Sequence, residues 1–173
     1  MAEENHLEIV NRLRNLEDRS AIVELVNRYA DGVRLGDAEL ITSCFSDDAS
    51  IDYGHGRVMQ GRQRISAYFS ELLGPTSEEA PLAFDVRLAS TPVVSNVEIE
   101  LEGDAAHCES ACLAIHAGRR HERDFVVVRG TRNVDELVRT ADGWKIRRRV
   151  HSSAWSFEVG GAVDEHEAGS TSS

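Results

Sequence analysis

At 173 residues, with 41% apolar and 28% charged residues, the chain has the length and composition of one globular domain with a real core. Its 30 acidic residues against 19 basic give a formal net charge of −11, which repels nucleic-acid phosphates and an anionic membrane surface and excludes both as principal partners. The polar, acidic N-terminus and the lack of any apolar run near the ~18 residues of a membrane span predict no targeting or anchoring segment, while an odd set of cysteines, Cys44, Cys108 and Cys112, fits reduced thiols in a cytoplasm.

From Leu7 to about Gly36 the apolar residues recur at helical spacing, with Ile22, Val26, Tyr29 and Val33 on one stripe, and predict two helices or one bent helix. On a helical wheel Arg34 falls near the edge of that stripe and can turn inward, whereas Asp31 lies on the far, solvated side. Asp37 is placed to cap a helix over Ala38 to Phe45, followed by a strand from Ala49 to Tyr53 and a turn at Gly54-His55-Gly56 that leaves His55 in solvent. Gly61 to Leu73 predicts a third helix, and the acidic, proline-bearing stretch from Gly74 to Pro81 a loop.

The period then changes to two. Strands are predicted over Phe84 to Thr91, Pro92 to Leu101, Ala106 to His116, Phe125 to Leu137 and Trp144 to His151, with hairpin turns at Glu102-Gly103-Asp104 and Thr140 to Gly143. Helices followed by a run of antiparallel strands predict an α+β domain over residues 1–159; the Gly/Ser/acid-rich tail 160–173 has no apolar period and predicts disorder.

Strand parity sorts the histidines. His116 shares its face with Ala106, Cys108, Ser110, Cys112 and Ala114, all small enough to line a cavity, and is either a hydrogen-bonded core histidine or a pocket acid, base or donor; His107 faces out. His151 closes the last strand, and the run Arg147-Arg148-Arg149 predicts an exposed strand with one inward member. Tyr29 and Tyr53 each offer a phenolic donor, or serve as core tyrosines with satisfied hydroxyls. No Cys-x-x-Cys or His-Glu-x-x-His spacing and no glycine-rich phosphate loop is present, so neither a metal nor a nucleotide cofactor is expected.

Leu16-Glu17-Asp18-Arg19, Arg28-Tyr29-Ala30, Phe45-Ser46-Asp47-Asp48-Ala49, Gly61-Arg62, Ser95-Asn96 and Asp142-Gly143-Trp144-Lys145-Ile146 occur in an order that resembles the SnoaL-like branch of the nuclear-transport-factor-two-like superfamily over roughly residues 7–155. The resemblance implies a strongly curved antiparallel sheet wrapped around N-terminal helices as a cone with one internal pocket, and a homo-oligomer. In the scytalone dehydratase and hexachlorocyclohexane dehydrochlorinase group an Asp on the first helix orients a strand His that removes a proton. Carried over, the Asp falls on Arg34 and the His on Thr91 or Pro92, ahead of Ser95-Asn96, so the dyad is absent. Tyr53 matches the dehydratase pocket tyrosine, and His116 a second pocket histidine.

An arginine cannot replace the missing base because it stays protonated. The resemblance and the residues together give a cofactor-independent lyase, isomerase or cyclase for an aromatic or polyketide-like small molecule, with His116, His151 and Tyr53 as catalytic candidates and Arg34, Tyr29, Thr91 and Asn96 as substrate contacts. The alternative is a non-catalytic ligand-binding protein or structural subunit, as in the small subunit of ring-hydroxylating dioxygenases.

Overall fold

The computed structural model describes residues 2–54, 56–73, 86–120 and 122–160. His55 and the stretches expected as the 74–81 loop and the tail beyond 160 lie outside them. Helix α1 (Ala2–Leu35) is one helix of 34 residues, not two. Its second half carries the expected stripe: Ile22, Leu25 and Val26 are buried, and Tyr29 and Val33 continue the line onto the core. Asp37 caps α2 (Ala38–Ser43) by accepting from the Leu40 amide at 2.8 Å. That helix stops two residues before the expected end, because Phe45 already pairs with Ile146 in the sheet.

Strand β1 (Phe45–Asp52), the short β2 (Val58–Gln60), helix α3 (Arg62–Leu72) and four long strands follow: β3 (Val86–Glu102), β4 (Ala105–Arg120), β5 (Arg123–Thr140) and β6 (Gly143–Gly160). The sheet order is β2-β1-β6-β5-β4-β3, curved and unclosed. The two strands expected over 84–101 are one. Pro92 does not break it because β3 is an edge strand, where a missing ladder donor costs little. All pairings are antiparallel except that of β1 with β6, which is parallel.

The helices pack into the concave face. Ile22 and Leu25 of α1, Ile41 of α2 and Ile65 and Phe69 of α3 bury against Ile51, Cys108, Leu137 and Ile146 of the sheet. At the closed end Asp18, buried on α1, accepts from Arg139 Nη1 and Nη2 at 2.7 and 2.6 Å and from Trp144 Nε1 at 3.1 Å, tying the helix to the β5–β6 hairpin. The Arg139 hydrogen bonds hold the Asp18 carboxyl below its usual range against the opposing effect of burial.

Before Asp18 the helix projects beyond the cone, with Leu7, Ile9, Val10, Leu13 and Leu16 all exposed. No helix among the described residues is long and apolar enough to cross a membrane.

Candidate functional site

Two β-bulges aim the site. In β6, Trp144 and Ile146 point into the core; strict alternation would then turn Arg148 inward. The register shifts between the pairs Glu136–Arg148 and Leu137–Ile146, so that Arg147 is an extra residue and the parity reverses. Arg149, His151 and Ser153 therefore face the cavity, and Arg149 is the inward member of the arginine run. A second shift, between the pairs Gly130–Trp155 and Thr131–Ser153, turns Trp155 and Phe157 back outward, where they are 52% and 66% exposed.

The cavity so formed has a volume of about 450 Å³ and opens between α1, α3 and the inner faces of β3–β6. That is the size of a small-molecule site. Tyr29, Tyr53, His116 and His151, four of the residues singled out in the sequence, line it together. The other three do not. Arg34, expected at the stripe edge, is exposed and held outward by Asp31 one turn earlier, at 3.1 Å. Thr91 is exposed on the outer parity of β3 while its neighbour Pro92 faces the cavity. Asn96 is exposed at φ 50 within the bulge between Ser95 and Glu98. Of Thr91 and Pro92, the two residues on which the resemblance puts the dyad histidine, Pro92 faces the cavity and has no proton to exchange, while Arg34, on which it puts the carboxylate, lies outside the pocket.

At the cavity floor Arg149 and Asp135 form an ion pair with side chains 1% and 0% exposed, Nε and Nη2 donating to the two carboxylate oxygens at 2.7 Å each. Burial alone would lower the Arg149 pKa; the charge and hydrogen bonds of Asp135 outweigh it and push it above the usual range, so the guanidinium is permanently cationic. Its Cζ lies 4.1 Å from the centre of the Tyr29 ring, and Nη1 has no hydrogen-bond partner. Above it Tyr53 shares a hydrogen bond with Tyr29, and burial raises its hydroxyl well above the ordinary phenol range, with Tyr29 and Tyr68 adding to the effect. Tyr53 is therefore a proton donor across the neutral pH range and not a phenolate.

The Tyr53 and His151 rings lie 5.0 Å apart. His151 Nδ1 donates to Asn133 Oδ1 at 2.8 Å, which leaves Nε2 as the basic nitrogen. Burial, then the charges of Arg149 and Arg129, lowers the His151 pKa to about 4, so the ring is neutral at pH 7. His116 pairs through Nδ1 with Ser90 Oγ at 2.8 Å on the neighbouring strand. The thiols are poor nucleophiles: burial raises Cys44 and Cys112, and Cys108 to about 12. No group of three or more metal-ligating side chains is gathered among the described residues.

Arg129, Asn133, Asp135 and Arg149 line or back the cavity without being singled out by the sequence. For the first three a signal existed: Arg129, Thr131, Asn133 and Asp135 occupy successive inward positions of β5 between the apolar Val127 and Leu137. A polar run on the buried parity of a core strand marks a site wall.

The profile of the SnoaL-like domain matches residues 14–150. An uncharacterized protein of Mycobacterium tuberculosis is 27% identical over 143 residues, spanning 81% of this chain and 88% of its own. Among solved structures, a hexachlorocyclohexane dehydrochlorinase type 2 superposes with a TM-score of 0.72 at 16% identity, covering 87% of this chain and 95% of that one. A Novosphingobium aromaticivorans protein provisionally named a scytalone dehydratase does so with a TM-score of 0.68 at 21% identity, over 83% and 88%. These structural likenesses establish the cone fold, and the profile match establishes the lineage: the chain belongs to the SnoaL-like domain family.

Proposed function

We propose that the protein is a cofactor-independent lyase, isomerase or cyclase that moves a proton on a carbonyl-bearing aromatic or polyketide-like molecule held in the cone. The observation that carries this reading is the convergence on one apolar cavity of a neutral imidazole, an un-ionised phenol and a fixed guanidinium, in His151, Tyr53 and Arg149. Nε2 of His151 takes a proton from carbon beside the carbonyl, while Tyr53 donates to the oxygen on which charge develops and Arg149 stabilises that charge through space. An imidazole held to a pKa of about 4 is a weak base in the empty cavity. The enolate supplies the missing counter-charge: as it forms between the guanidiniums and the ring, it favours the imidazolium and lifts the basicity of His151 when the proton arrives. His116, with Ser90 behind it, is the second proton carrier that a dehydration needs at the leaving group.

The test is α-proton exchange. A panel of aromatic ketones and β-hydroxyketones incubated with the protein in D2O is expected to lose α-proton NMR signal faster than in buffer, and His151→Ala is expected to return the rate to that of buffer. No acceleration across the panel, or an unchanged rate in His151→Ala, sinks the reading in favour of a non-catalytic binding protein. The three free cysteines fit work in a reducing cytoplasm.

The assembly proposed is a homo-oligomer through α1. Ile9, Leu13, Leu16 and Val23 lie at heptad spacing on the face opposite the core and are 49%, 55%, 64% and 37% exposed. Arg12 and Arg19 flank one side of this stripe, Glu17 and Glu24 the other. A second copy laid parallel sets Arg12 against Glu17 and Arg19 against Glu24, whereas an antiparallel copy would oppose like charges. Sedimentation is expected to show a dimer that Leu13→Glu converts to monomer; a wild-type monomer at tens of micromolar removes the idea.

A further inference from the structure

Among the described residues that line the cavity there are three arginines, Arg57, Arg129 and Arg149, and no aspartate or glutamate. That is the reverse of the chain as a whole, with its net charge of −11. Two of the three arginines are accounted for. Arg149 is neutralised from behind by Asp135, and Arg57 is exposed at the rim, where solvent screens it. Arg129 is different.

It sits on the inner face of β5 between Val127 and Thr131, and across the ladder it meets Ala114 of β4, whose methyl leaves space for a long side chain. Among the described residues no hydrogen bond or ion pair reaches its guanidinium, and its Nε is buried without a partner. An unpaired cation facing an apolar cavity is destabilising unless a counter-charge arrives. The planar fork of a guanidinium matches one counter-charge best, a carboxylate gripped by two parallel hydrogen bonds.

We propose that Arg129 is the anchor for a carboxylate on the ligand, so that the molecule bound in the cone is an aromatic or alicyclic carboxylic acid. This rests on the cavity being the substrate site, as argued under Proposed function, and narrows its substrate class. The body of such a ligand meets Val33, Phe69, Leu72 and Val94, which carry no charge to compete with Arg129 for the acid group. Arg129 is also one of the two cations that hold down His151; pairing it with a carboxylate removes part of that restraint, so that occupation of the anchor and basicity of the ring rise together, with Arg149, Tyr53 and Asn133 unchanged around it.

Calorimetric titration with 1-naphthoate and with its neutral isostere 1-naphthamide tests this without any turnover, so it stands or fails separately from the proton-exchange reading. The acid is expected to bind at least ten-fold more tightly than the amide. Arg129→Gln is expected to abolish the difference, Arg129→Lys to keep part of it, and Arg57→Gln to leave it in place, each variant first shown to melt as the wild type does. No binding of naphthoate at millimolar concentration, equal binding of acid and amide, or a preference that survives in Arg129→Gln overturns the proposal.

Discussion

Asp135→Ala is expected to cost about 3–5 kcal/mol of folding free energy, the loss seen when one partner of a buried ion pair is removed. For a chain of this size that is roughly a 10 °C fall in melting temperature. Asp135 is fully buried and takes both of the Arg149 nitrogens that have partners, Nε and Nη2. Without it a permanently charged guanidinium remains in the core with only the faces of Tyr29 and Phe45, at 4.1 and 5.9 Å, to receive it. The pair itself contributes little net stability, because desolvation cancels most of the attraction. The double variant Asp135→Leu/Arg149→Met is therefore expected to recover most of the loss while remaining inactive in proton exchange. An Asp135→Ala protein that melts with the wild type would show that the site tolerates the uncompensated charge.

The second large effect is linked to pH. Histidine ordinarily titrates near 6.5, and in the fold His151 is held at about 4. Between those values the unfolded chain binds a proton that the native state refuses, so stability is full above pH 6.5 and falls as the pH drops through the window. The gap is about 2.5 units at about 1.4 kcal/mol each, or roughly 3 kcal/mol lost by pH 4. His151→Gln keeps a partner for Asn133 and removes the titration. Urea midpoints measured from pH 7 to 4 are expected to fall less in this variant than in the wild type, the difference growing as the pH drops; parallel curves would mean that His151 titrates normally. The same substitution removes the proposed base, for which a rate loss of roughly 10²–10⁴-fold is expected.

Most of the architecture is legible in the sequence because it follows from periodicity. The α1 stripe, the Asp37 cap and the small inward residues of β4 each express a local rule, and the structure follows them. The site is legible only as far as those rules hold. His116 is found by alternation because β4 runs without interruption from Ala105 to its partner across from Val127. Arg149 is not, because the bulge at Arg147 inverts the alternation, and nothing local distinguishes Arg147 from Arg148 as the extra residue. Arg34 shows the converse. Its place on the wheel allows an inward turn, but Asp31 on the same exposed face captures it. The parallel docking of β1 beside β6 is a long-range pairing with no sequence signature of its own.

That pairing also sets an order of events during synthesis. Ser46 reaches the Ile146 carbonyl 100 residues further along the chain, and Phe45 pairs with Ile146 in the ladder. At roughly 5–20 residues per second, β1 leaves the ribosome some 5–20 seconds before the strand that completes it. Through that interval Phe45 has no ladder partner, and β1 is joined only to the short β2. A nascent chain halted before Trp144 holds β2-β1 and β5-β4-β3 as separate pieces, so the last strand is the clasp that joins them into one sheet.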